Sequence, residues 1–168
     1  MVVNVIKRVY YVSMTVQNKI NIQNKKARFE YEILKKYIAG IQLTGTEIKS
    51  IRESNARITE SFCEFNNRGE LFVVNMYVKE YLYGHHFNHK TNGERRLLLN
   101  KKELRSLKKQ VVTKGNTIVP LRLFLNENGW AKLEIALAKG KKIYDKRAHI
   151  KDRDSERNLA RIKKSFNS

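Results

Sequence analysis

A single cysteine, Cys63, stands in 168 residues, which excludes an intramolecular disulfide. No apolar run approaches the ~20 residues that span a bilayer, and neither end carries a lipidation motif, so a membrane role has nothing to rest on. A signal peptide needs an uninterrupted apolar stretch, and Lys7 and Arg8 break the one at 2–16, so the expected compartment is the cytoplasm. Gly-rich phosphate loops, nucleophile elbows and zinc-ligand spacings are all missing, which leaves no catalytic site or cofactor to assign. Acidic residues are scarce as well: 16 Asp and Glu face 35 Lys and Arg, a formal net charge of +19. Such an excess suits a polyphosphate partner, and an RNA-binding protein is a better reading than an enzyme.

What is present is a series of short strand-like runs with helix signals between them, in a length that favours one domain. Residues 1–21 are expected to be a flexible extension, of which 1–13 precede a second possible start at Met14. Phe29, Tyr31 and Ile33 alternate with Glu30 and Glu32, and another run follows Ala39 and Gly40; with those two read as a turn, an antiparallel pair of strands is expected. Thr44 and Glu47 make a capping box, and the spacing of Ile48 and Ile51 predicts a short helix from near Gly45, ending by Asn55. The runs at 62–65 and 71–78 flank the turn formers Asn66, Asn67, Arg68 and Gly69, a hairpin pattern, and 84–93 reads as a polar loop. Asn100 and Glu103 repeat the capping logic ahead of Leu104, Leu107 and Val111, which share one helical face while Lys101, Lys102, Lys108 and Lys109 stay outside it. Leu121, Leu123 and Leu125 answer Leu133, Ile135 and Leu137 across a turn at 126–129, the clearest hairpin of the chain. Short turns between strands favour a mainly β fold over a βαβ sheet: an OB-like, partly open barrel over 22–138 with two or three helices.

Residues 139–168 are a basic tail, with eleven Lys and Arg against four Asp and Glu. As a helix it would bring Lys139, Lys142, Lys146, Arg153, Arg157, Arg161 and Lys164 onto one arc, with Asp145, Asp152 and Glu156 to one side. Ile143, Ile150, Leu159 and Ile162 are too scattered to anchor it, so the free tail is expected to be disordered. It either folds against an RNA backbone or is a solvated end that aids solubility.

Two clusters invite metal readings, and neither holds. His85, His86 and His89 lack a fourth ligand nearby in sequence and sit beside Gly84; with Tyr81, Tyr83 and Phe87 close by, their loop either faces solvent or stacks on bases. Asp152, Asp154 and Glu156 lie among basic residues in the segment with least fixed geometry, whereas a nuclease site needs preorganised supports. Asn100 can cap its helix and also place that helix's N-terminus against phosphate; Lys132, taken alone, is a surface lysine.

Four segments in register, NKKAR at 24–28, AGIQLTGTEIKS at 39–50, RLLLNKKEL at 96–104 and AKGKKIYDKR at 138–147, with VPLRL at 119–123 between them, resemble the SmpB family of tmRNA-binding proteins from about Ile22 to Lys164. The resemblance implies an OB-like barrel without enzymatic activity, a partner of the tRNA-like domain of tmRNA in trans-translation, acting with alanyl-tmRNA and elongation factor Tu. It implies tmRNA contacts at Leu98, Asn100 and Lys132. It also implies ribosomal contacts, at the small-subunit decoding centre and in the empty mRNA channel, from Lys139, Gly140, Lys141, Lys142, Tyr144, Asp145, Lys146 and Arg147 and from the stripe Arg153, Arg157, Arg161 and Lys164. The expected state is a monomer. Two positions depart from the family pattern: Phe29 replaces a common His, and Ile38 replaces a common Glu that contacts RNA in relatives, so no carboxylate contact is assigned to Ile38. A basic OB-fold structural ribosomal protein is the alternative from another class, and an RNA-cleaving enzyme is the third.

Overall fold

The computed structural model describes residues 20–142 and, beyond them, Ser155, Asn158, Leu159, Arg161, Ile162 and Ser165, each in helical conformation. In chain order the elements are β1 (Asn21–Gln23), α1 (Lys25–Glu30), β2 (Tyr31–Ile41), α2 (Gly45–Arg52), β3 (Ala56–Arg57), β4 (Phe62–Phe65), β5 (Leu71–Val74), β6 (Tyr77–Val78), a 3-10 segment (Leu82–Phe87), β7 (Arg95–Leu98), α3 (Lys101–Val111), β8 (Asn116–Leu125) and β9 (Ala131–Gly140). Strands β8, β4, β5, β7, β2 and β9 pair in that order, and β9 pairs back to β8, so the sheet curls into a barrel. Its seam is thin, because β4 meets β8 only at Cys63 and Ile118, while β8 and β9 pair along almost their whole length. The fold is mainly β, an OB-like barrel that is partly closed.

Alternation along the two longest hairpin strands decides what goes inside. Leu123, Leu133 and Ile135 point into the barrel with no exposure and share one core cluster with Ile118 of the same hairpin and with Val73 and Met76. α2 adds Ile51 and α3 adds Leu107, both fully buried. Fully burying one such side chain contributes about 1.5–3 kcal/mol, so the two helices are held by their apolar faces more than by propensity. A second, smaller apolar cluster lies on the outer face of the hairpin, where Ala27 of α1 covers Val119, Leu121, Ala136 and Ala138. Asn24 fixes α1 there: its Oδ1 accepts from the Ala27 N–H at 3.0 Å, and its Nδ2 donates to the Ile58 and Pro120 carbonyls at 3.1 Å each.

The helix at 45–52, the hairpin around Asn66–Gly69, the amphipathic α3 and the β8–β9 hairpin lie where their patterns place them. Other expectations need correction. Ala39 and Gly40 form no turn: they continue the 11-residue β2, flanked by β7 and β9, and the strand bends instead at a register shift between Ile33 and Lys35. Phe29 and Glu30 belong to α1, so the strand alternation begins only at Tyr31. The run at 71–78 divides, since β6 leaves β5 to pair with β3. Two boundaries move as well: Ile20 is already buried and Asn21 pairs with Phe124, while Lys139 and Gly140 finish β9. Residues 1–19 lie outside the described residues.

Candidate nucleic-acid interface

Three strands bring Leu98 and Lys132 together. Gly40 of β2 pairs with Leu98 on one side and with Lys132 on the other, so the row Leu98–Gly40–Lys132 crosses β7, β2 and β9 on the outer face of the barrel. Leu98 is 52 % exposed although its neighbour Leu97 is buried, because successive strand residues point to opposite faces. With no side chain at Gly40, a shallow gap separates the two; a Cβ there would sit 3.5 Å from Leu98 Cβ, ordinary contact distance. Asn100 follows at the start of α3, exposed, its backbone N–H donating to Glu103 Oε2 at 3.3 Å. Lys101 and Lys102 are exposed on the first turn. An apolar contact, a free lysine and a cation-flanked helix N-terminus thus converge on one surface, an arrangement suited to a sugar–phosphate backbone and an adjoining base.

The same register carries the face further. Lys132 pairs with Phe124 of β8, and the next outward row is Ile38, Glu134 and Arg122. Glu134 accepts from Arg122 Nε at 3.0 Å and lies 3.5 Å from Lys36 Nζ, while the Arg122 guanidinium stacks 4.4 Å from the Phe124 ring centroid. Glu134 therefore engages two cations and leaves Lys132 without an ion pair among the described residues. Trp130, 69 % exposed at the hairpin tip, flanks Lys132 through the intervening, buried Ala131. Sequence reasoning missed Arg122, Phe124 and Trp130. Phe124 and Trp130 could have been found, since each is an aromatic at an outward position of the clearest hairpin in the chain.

The root of the tail leaves from another part of the outer face. Lys139 pairs with Glu32 and Asn116, Gly140 pairs with Tyr31, and the Lys141 N–H donates to the Glu30 carbonyl at 3.0 Å while its Nζ reaches the Arg28 carbonyl at 3.4 Å. Beside this exit lies an open groove of about 720 Å³, lined by the cations Arg28, Lys36 and Lys141, by Glu32, and by Tyr31, Ile33 and Leu121. Lys26 of α1 meets Glu60 at 3.1 Å, a hydrogen-bonded ion pair that raises its ammonium above the usual lysine range. Lys142 is exposed. Tyr144, Asp145, Lys146, Arg147, Arg153, Arg157 and Lys164 lie outside the described residues, as do Asp152, Asp154 and Glu156. Arg161 is helical and exposed, next to an exposed Ile162.

The histidines divide by environment. His89 is half-buried, Nδ1 meeting Thr46 Oγ1 at 3.0 Å and Nε2 meeting the Val78 carbonyl at 3.2 Å, so this ring is a structural tie and not part of a solvent loop. His85 and His86 are exposed on the 3-10 segment. Among the described residues no helix is long and apolar enough to cross a membrane.

Comparison with known proteins bears on the same residues. The SmpB protein family model matches residues 21–165. An SsrA-binding protein of Christiangramia forsetii is 61 % identical over 150 residues, covering 89 % of this chain and 95 % of the relative. One from Flavobacterium psychrophilum is 63 % identical over 147 residues, 88 % of this chain and 97 % of the relative. A chain solved in "tmRNA-SmpB: a journey to the center of the bacterial ribosome" superposes with a TM-score of 0.62 at 45 % identity, over 74 % of this chain and 86 % of that one. The family match starts at β1, includes the whole barrel with its Leu98–Gly40–Lys132 row and extends into the basic tail, so both parts of the molecule belong to one design, and the chain belongs to the SmpB family.

Proposed function

We propose that this chain is a tmRNA-binding protein of trans-translation, a binding factor and not an enzyme, acting in the cytoplasm as a monomer. The observation that carries the reading is the outward row Leu98–Gly40–Lys132 beside the capped start of α3, in a chain whose relatives are named SsrA-binding proteins. Leu98 offers an apolar contact, Lys132 a charge without an ion pair among the described residues, and Asn100 with the first-turn N–H groups a place for phosphate. Together they grip the tRNA-like domain of tmRNA. The complex reaches the stalled ribosome as alanyl-tmRNA with elongation factor Tu. The basic tail, rooted at the end of β9, then runs from Lys142 onward into the empty mRNA channel at the small-subunit decoding centre, which lets tagging of the nascent peptide begin.

The division of labour follows from anchorage. The tmRNA face sits on paired strands and is held to one geometry, as discrimination of a folded RNA requires. The tail root is tied to α1 through Lys141, and the sequence that follows is a strongly basic segment suited to a long polyanionic channel. Sequencing the RNA that co-purifies with the native protein should return one dominant small RNA with a tRNA-like end. Leu98→Ala, Asn100→Ala and Lys132→Ala should each weaken that RNA's binding, by about 1 kcal/mol or more where a charge-assisted hydrogen bond is removed. A mixed pool of ribosomal RNA, with stoichiometric retention on salt-washed ribosomes, would instead favour a structural ribosomal protein.

A further inference from the structure

The loop between β6 and β7 holds three large apolar side chains out in solvent: Leu82 is 78 % exposed, Tyr83 68 % and Phe87 92 %. Nothing in the barrel requires this, yet the loop is built to keep them there. The Asn88 side chain closes it, donating to the Tyr81 carbonyl at 2.8 Å and accepting from the Tyr81 N–H at 3.1 Å. His89 pins the closed loop to Thr46 of α2 and to the Val78 carbonyl. At the tip His85 holds a positive φ of 41° with ψ −130°, a sparsely populated conformation for a residue with a side chain, retained because the surrounding bonds over-determine it. Gly84 is needed for closure, since a Cβ there would lie 2.7 Å from Asn88 Nδ2.

Tyr81 meets Tyr83 edge-to-face at 5.6 Å, and Lys49 Nζ stands 5.2 Å from the Tyr81 ring centroid. On the neighbouring β3–β6 pair, Arg57 covers Tyr77 at 5.7 Å. Within the loop Lys79 and Lys90 balance Glu80 and Glu94, so Lys49 and Arg57 tip the local charge to positive. Flat rings presented by a closed loop among cations are the arrangement that receives unstacked bases. A stable protein partner fits less well: even at 150–250 Å² per large side chain, the three tips offer at most about 450–750 Å², short of the ~800 Å² that one side of a standard interface buries.

We propose that residues 81–89 form a second RNA contact, a platform on which one or two unpaired bases stack on Tyr83 and Phe87, separate from the row at Leu98. The platform lies in the loop that precedes β7, tied to Thr46 and Val78, whereas Leu98 is the last residue of that strand. The platform is non-specific in sequence, because every base offers a π-face. It recognises single-stranded or looped RNA, and it does not depend on the identity of the RNA that Leu98 and Lys132 hold.

The test uses the full chain, with short oligouridine and an abasic oligoribonucleotide of equal length and charge as probes, followed by fluorescence anisotropy. Oligouridine should bind more tightly. Tyr83→Ala and Phe87→Ala should each weaken oligouridine by about five- to a hundredfold while leaving the abasic affinity unchanged, and Tyr83→Phe should retain most of it. Both residues are exposed, so the fold is not at risk. Equal loss on both probes, or no loss on either, overturns the proposal; so does a loss of self-association in sedimentation with oligouridine binding intact, which would assign the patch to a protein partner.

Discussion

Arg95 illustrates how a surface-type residue becomes a structural centre. It is 2 % exposed, its Nε donates to Glu47 Oε1 at 2.8 Å, and its remaining N–H groups reach the carbonyls of Met76, Gly93, Lys90 and Thr91. Glu47 in turn accepts from the Thr44 N–H at 2.7 Å, so one ion pair ties the start of α2 to the β6–β7 loop. Removing one partner leaves a buried charge without compensation: Arg95→Ala should cost about 3–5 kcal/mol in urea unfolding, and adding Glu47→Ala should cost less than the sum of the two single changes. Cys63 makes the opposite case, a buried free thiol pushed far above the usual thiol range by burial. Native protein should resist thiol-labelling reagents at pH 8, with labelling tracking global unfolding. Because its folded pKa is raised, the contribution of Cys63 to stability is complete below the unfolded thiol's pKa and declines as pH rises above it, where only the unfolded chain ionises. Rapid labelling under native conditions would contradict this packing.

At the scale of the element, α1 depends on one side chain. Asn24 is 4 % exposed and uses both ends of its amide, an acceptor for the helix and a donor for two carbonyls of other segments. Asn24→Ala should cost about 2 kcal/mol through the missing cap and stranded carbonyls. Asn24→Asp keeps the cap but turns an oxygen towards the Ile58 and Pro120 carbonyls, and should cost at least as much in thermal unfolding at pH 7. That role was invisible in the sequence, where Asn24 was only the first residue of a motif. The elements that were legible share one property: their partners are local. Thr44 finds Glu47 three residues away and β8 finds β9 across a four-residue turn, so pattern and structure coincide. Ala39 and Gly40 misled because turn propensity is local while β2 is fixed from both sides, by β7 and β9 from distant parts of the chain. For the same reason Leu98 and Lys132 were tied together only by family resemblance; their adjacency depends on Gly40 pairing with both. Ile38, the departure from the family pattern, pairs with Glu134, so a carboxylate does lie beside it, but it already engages Arg122 and Lys36.

At the scale of the molecule the question is whether the charge of +19 acts as one field or as two sites. Lys139 and Gly140 belong to β9, and Lys141 bonds α1, so a cut after Ala138 would remove strand pairs along with the tail; a cut after Lys142 leaves the barrel whole. That cut removes eight Lys and Arg and four Asp and Glu. If the tail shared in gripping tmRNA, its removal would flatten the dependence of log K on log salt by about 0.7–0.9 for each phosphate no longer neutralised, so even four such phosphates would change the slope by about 3. If the barrel face alone holds tmRNA, the slope should change by less than a single phosphate's share, while peptide tagging on stalled ribosomes should be abolished. Charge reversal at Arg161, the exposed arginine of the helical tail positions, should lower tagging with tmRNA affinity unchanged. A truncated chain that tags at the normal rate, or whose tmRNA affinity loses most of its salt dependence, would merge the two sites into one field, because counterion release counts phosphates wherever they are neutralised. The two-site arrangement instead requires that removing cations from one end leave the count at the other unaltered.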